Sequence, residues 1–148
     1  MRNLNKFIKI STPYTMDQNQ SHIDSLGAVE KRELKDLYNK FDSSVFTGLD
    51  GNLFMFASIY EHDITTLLES YVKSGFTFEY KDYTKDVLFN VIDIDSMAVD
   101  IPDWELGYFS KMVMNFQKNN LTIDWVLDKI NECGEDSLTE IDKLILVG

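Results

Sequence analysis

The sequence predicts an α+β fold, mostly helical, with a central long helix, one β-hairpin and a C-terminal helical hairpin. Three observations carry that expectation. Apolar residues recur at helical spacing from Leu53 to Tyr71. Aromatic and polar residues alternate from Phe76 to Tyr83, the period of a half-buried strand. Two short amphipathic stretches separated by Gly134 close the sequence.

Taken in order, Leu4 to Ile10 alternates loosely and reads as a short strand. Ser11 to Gly27 is polar, holds Pro13, and reads as a long loop or mobile arm. Apolar residues at 34, 37, 38 and 41 give Val29 to Phe41 one helical face. Gly48 and Asp50-Gly51 then mark a turn. The central helix is expected over 52–73, with Leu53, Phe56, Ala57, Tyr60, Ile64, Leu67, Leu68 and Tyr71 on its stripe. Asp50 or Asn52 caps its start and Gly75 follows its end. A competing division places a strand at 52–58 and a helix from near Asp63. Phe76–Tyr83 and Val87–Ile94, joined by Thr84-Lys85-Asp86, are expected to pair as the hairpin. Ile101-Pro102-Asp103 opens a helix with Trp104, Tyr108, Phe109, Met112, Val113 and Phe116 on one face, ending at Asn119-Asn120. Thr122 caps the next helix, which stops at Gly134, and Ser137-x-x-Glu140 has the spacing of a capping box for the last.

A length of 148 residues suits one domain, with residues 1–28 a strand plus polar arm and 121–148 a helical-hairpin appendage. At 44% hydrophobic and 13% aromatic residues, disorder of the whole chain is excluded. Cys133 is the only cysteine, so no intrachain disulfide forms, which fits a reducing compartment. No run approaches the roughly 18 apolar residues a bilayer span needs, and the first ten residues are too short an apolar run for a signal peptide. The expected location is the cytoplasm of a bacterium or phage-infected cell, without a membrane role; a virion protein would look alike.

Charge is lopsided. Residues 1–40 hold seven Lys/Arg and five Asp/Glu, whereas residues 41–148 hold seven Lys/Arg against twenty Asp/Glu. The second stretch therefore carries −13 of the net −11, offset by +2 from the first. Such a surface repels phosphate backbones and anionic lipid and attracts basic partners, so direct nucleic acid binding is not expected.

Candidate sites follow the acids. Asp93, Asp95, Asp100, Asp103 and Glu105 crowd into thirteen residues. Asp93 and Asp95 at a strand end would share one face, a seat for a hard divalent cation. The glycine-bearing calcium loop is absent, and a solvated acidic loop with Asp103 as helix cap is the plainer reading. Glu79-Tyr80-Lys81 is half of a metal-dependent nuclease pattern, without the acid on a preceding strand. His22 sits in the polar arm, and His62 between Glu61 and Asp63. Neither has a second convergent group, and Cys133 lies at a helix C-terminus, where the dipole disfavours a thiolate. No zinc spacing, phosphate loop or nucleophile elbow is present. Phe76, Phe78, Tyr80 and Tyr83 lack the cations of a base-stacking platform. Trp104, Tyr108, Phe109 and Met112 are expected mainly in a core, with Met114 off the stripe.

Residues 123–146 resemble a known C-terminal hairpin. Ile123-Asp124-Trp125-Val126-Leu127-Asp128-Lys129-Ile130, Gly134, Asp136-Ser137-Leu138-Thr139, Asp142-Lys143 and Leu146 carry the likeness. Versions of this segment close many bacterial and phage proteins, notably rhomboid-type membrane proteins of Bacteroidetes. The resemblance implies a structural device, with no catalytic residue, and a bacterial or phage origin. Ile141 and Asp142 depart from its common acidic pair.

The function expected from these readings is a non-enzymatic acidic protein-binding module without cofactor. Glu79, Asp82, Asp86, Asp93, Asp95, Asp100, Asp103 and Glu105 would meet a basic protein partner. An inhibitor that imitates the phosphate array of DNA, of immunity, antirestriction or anti-defence type, has this chemistry. The alternatives are a phage virion or other assembly component, its arm ordering on a neighbour, and a divalent-metal enzyme using the 93–105 carboxylates.

Overall fold

Asn5–Ser11 forms strand β1, which is hydrogen-bonded to a strand on either side. The structure, a computed structural model, describes residues 5–89 and 101–147. Although length suggests one domain, these residues fall into two compact units. The first holds those up to Tyr83 with Ile101 and Pro102, and the second holds the rest. The fold is α+β and mostly helical.

The first unit contains a four-stranded antiparallel sheet in the order β2 (Asp42–Thr47), β3 (Leu53–Tyr60), β1, β4 (Glu79–Asp82). Ile8 lies opposite Ala57 and Asp82, and Ile10 opposite Met55 and Tyr80. Because β1 runs against both neighbours, β3 and β4 are parallel with β1 between them. Helix α3 (Glu61–Lys73) makes the crossover, giving a split β-α-β unit.

Alternation then divides the side chains. Ile8, Ile10, Met55, Ala57 and Ile59 share one face and form a single core with Leu34 and Leu37 of α2 (Ala28–Tyr38) and Ile64, Leu67 and Tyr71 of α3. Phe7, Phe46, Phe54 and Phe56 are buried on the other face. Ring centroids there lie 5.6 Å apart for Phe7 and Phe56 and 6.3 Å for Phe56 and Tyr83.

Several sequence expectations are corrected here. The 52–73 helix is instead strand β3 followed directly by α3, as the competing division had it. β3 is a central strand with Leu53 to Ala57 all buried, so its sequence is apolar at every position and shows no two-residue period. Asp50 caps no helix: its Oδ1 accepts from Asn52 N–H at 2.9 Å in the β2–β3 turn. The 11–27 segment is no free arm. It folds into α1 (Met16–Asp24), opened by a reciprocal capping box in which Thr15 Oγ1 accepts from Gln18 N–H and Gln18 Oε1 from Thr15 N–H. The 76–94 hairpin is replaced by β4 and a helix over 84–89; residues 90–94 lie outside the described ones. The β-hairpin that does form is β2–β3.

α3 ends as Gly75 predicts. Gly75 takes φ +77°, and Phe76 N–H reaches back to Tyr71 C=O at 3.0 Å and Gly75 N–H to Val72 C=O at 3.1 Å, a Schellman closure.

The second unit is helical: α4 (Thr84–Phe89), α5 (Leu106–Asn120), α6 (Ile123–Cys133) and α7 (Glu140–Val147), with 3₁₀ turns at Asp103–Glu105 and Glu135–Ser137. Val87, Phe89, Phe109, Val113, Phe116 and Val126 are buried. Trp104, expected on that face, is 81% exposed, and Tyr108 is exposed beside it. The 3₁₀ turn breaks the register between Trp104 and the helix that follows. Thr122 caps α6 through Trp125 N–H, as expected.

The last helix is capped two residues later than the Ser137-x-x-Glu140 spacing suggests. Thr139 N–H donates to Asp142 Oδ2 at 2.9 Å and Asp142 N–H to Thr139 Oγ1 at 3.4 Å. Ser137 Oγ is spent on Gly134 C=O at 2.6 Å.

Candidate functional site

The acids named from the sequence are spread over the fold. Glu79 and Asp82 lie on edge strand β4, three residues apart, so they point to opposite faces of the sheet. Lys6 stands 4.0 Å from Asp82. In the second unit Asp86 is half-buried on α4, Asp103 is exposed, and one carboxylate oxygen of Glu105 is shut from solvent and has no hydrogen-bond partner among the described residues. Asp93, Asp95 and Asp100 lie outside the described residues. Among the described residues no group of three His, Cys, Asp or Glu side chains converges as metal ligands do.

The structure places the remaining sequence candidates apart from one another. Glu79 and Lys81 share a face of β4, but β1, the strand bonded to it, reads Asn-Lys-Phe-Ile-Lys-Ile-Ser and offers no acid. The nuclease pattern therefore stays incomplete. His22 Nε2 lies 2.7 Å from Ser74 C=O and its ring packs 4.3 Å from that of Phe76, tying α1 to the end of α3. His62 is exposed, 3.2 Å from Asp63. Cys133 is exposed at the end of α6. No helix among the described residues is long and apolar enough to cross a membrane.

What sequence reasoning missed is a pocket of about 410 Å³ in the first unit. Its floor is the helix-facing side of the sheet, with Ile10, Leu53 and Met55; Phe76 and Phe78 form one wall. α2 forms another through Lys31, Leu34, Lys35 and Tyr38, which recur at i, i+3, i+4 and i+7 and so make one helical stripe. Tyr38 and Tyr71 place their hydroxyls in direct hydrogen-bonded contact in this wall. Burial pushes both phenols above their ordinary range, so both stay protonated at neutral pH. No Asp or Glu lines the pocket, although the chain holds twenty-five. The pocket draws on segments from Ile10 to Phe78, which is why no local motif announces it.

No protein-family model, curated protein or solved structure matches the chain.

Proposed function

We propose that this chain is a non-enzymatic binding protein whose negative surface docks on a basic protein in a bacterial or phage-infected cell, in the manner of an inhibitor that imitates DNA. The observation that carries this reading is where the acids lie. Among the described residues Asp142 is the one buried acid, and the other acids described between 41 and 147 are exposed or half-buried. Among the described residues Lys129 neutralises Asp142 inside the second unit, while pairs such as Lys85–Glu132 and Lys73–Glu33 lie at the surface. Exposed pairs of this kind contribute little to stability, whereas an outward field steers encounter. Glu79 and Asp82, on opposite faces of edge strand β4, and the acids of 86–105 are the proposed contact residues, so the partner encloses the β4 edge.

The test is association kinetics of the full chain against a panel of basic DNA-binding proteins of the host. The expected result is an association rate that falls at least about ten-fold between low and moderate salt. Glu79→Gln, Asp82→Asn and Asp103→Asn together should slow it further. No binding across the panel, or binding indifferent to salt and to these changes, overturns the reading.

Exposed Trp104 and Tyr108 favour a second reading, an assembly component of a particle. That reading expects oligomers that persist in moderate salt and dissociate on Trp104→Gln, read by sedimentation. An arm at 11–27 ordering on a neighbour plays no part in it, since α1 is already docked.

A further inference from the structure

The pocket beneath α2 is built for one kind of guest. Its interior is apolar, supplied by Ile10, Leu53, Met55 and Phe78. Apolar hollows of this size take up apolar ligands because no water inside finds enough partners. Its charged groups are of one sign. Lys31 and Lys35 lie one helical turn apart on the wall, and neither makes an ion pair among the described residues. In a chain of net charge −11, the lining holds two lysines and no carboxylate. The tyrosine pair adds a donor. Of two hydroxyls in mutual contact, one proton is shared between the oxygens and the other is left to donate.

We propose that this pocket binds a small amphiphile with an apolar body and a single carboxylate, the class of a medium-chain fatty acid. The carboxylate lies along the α2 stripe, accepting from the Lys31 or Lys35 ammonium and from the free hydroxyl proton of the Tyr38–Tyr71 pair. The hydrocarbon body covers Met55, Phe76 and Phe78. Decanoate, a chain of medium length with one carboxylate, is the probe for a pocket of about 410 Å³. A doubly charged phosphate suits the wall less well, because its extra acceptor oxygens would face hydrocarbon.

The experiment titrates the full chain with decanoate, decanol and acetate, followed by amide NMR shifts and melting temperature. Decanoate is expected to raise the melting temperature and to move the amides of Leu34, Tyr38, Met55 and Phe76. Decanol, equally apolar but uncharged, is expected to bind about ten-fold more weakly, the worth of a charge-assisted hydrogen bond. Lys31→Gln with Lys35→Gln, both exposed positions, should bring decanoate down to the decanol level while leaving decanol unchanged. Val45→Trp, at the rim, should weaken both. Decanol binding as tightly as decanoate, acetate matching decanoate, no binding at all, an unaffected double-glutamine variant, or shifts confined to other residues would each overturn the proposal. These outcomes are independent of whether a basic protein docks on the acidic surface.

Discussion

Lys129 Nζ lies 2.7 Å from Asp142 Oδ2, and the two side chains are 2% and 1% exposed. The same oxygen accepts from Thr139 N–H, so one carboxylate both closes the first turn of α7 and holds α6 against it. This pairing fixes how the C-terminal helical hairpin closes. A charge on one helix can be satisfied inside the unit only in a single register of the two helices, with Gly134 at φ +84° making the turn between them.

Removing one partner should be far worse than removing both. Lys129→Met leaves a buried carboxylate held by Thr139 alone and is expected to cost about 3–5 kcal/mol. Lys129→Met with Asp142→Leu should recover most of that. Urea unfolding midpoints of the two variants check this; equal losses in both would contradict it.

The pair also sets an acid limit. Burial pushes the Asp142 carboxyl up, but hydrogen bonds from Lys129 and Thr139 outweigh it and hold the group below its ordinary range. A depressed folded value means the contribution is complete above the ordinary carboxylate pKa of about 4 and fades as pH falls through the lower, folded value. The stability gap between the parent chain and Asp142→Asn should therefore be constant from neutrality to about pH 5 and shrink below about pH 4. A gap that widens on acidification would refute the assignment.

Neighbouring aromatics on and before α5 should behave oppositely. Phe109 is fully buried, and Phe109→Ala is expected to cost about 3–5 kcal/mol. Trp104→Gln should stay within about 0.5 kcal/mol of the parent, since the ring is largely in solvent. Thermal melts of both variants distinguish these outcomes.

His22→Ala removes the partner of Ser74 C=O and the ring against Phe76. Amide exchange across 16–24 should then accelerate, with a global cost of about 1–2 kcal/mol. Unchanged protection in α1 would show that the imidazole does not hold it.

Much of the fold was legible where periodicity was unopposed. Leu34 and Leu37 face the core as their spacing predicts, and Thr122, Gly134 and Gly75 sit at the helix ends they mark. β3 misled because a strand buried along its length has no polar alternation, and an unbroken apolar run matches a helical stripe equally well. α1 was missed because it buries no residue, so its signal is the Thr15–Gln18 cap alone. Thr84-Lys85-Asp86 reads as turn chemistry but begins a helix whose Val87, Leu88 and Phe89 are buried. The pocket was illegible because its lining is assembled by tertiary structure.

The position of β1 has a consequence for biosynthesis. Both of its hydrogen-bonded neighbours come later, β3 from residue 53 and β4 from residue 79. The first of these four strands to be synthesised is thus bonded to two later ones, and the sheet cannot close until residue 82 has cleared the exit tunnel. A nascent chain stalled before that point exposes Ile8 and Ile10 without their final neighbours, which makes this interval the window for chaperone capture and for misassembly between growing copies.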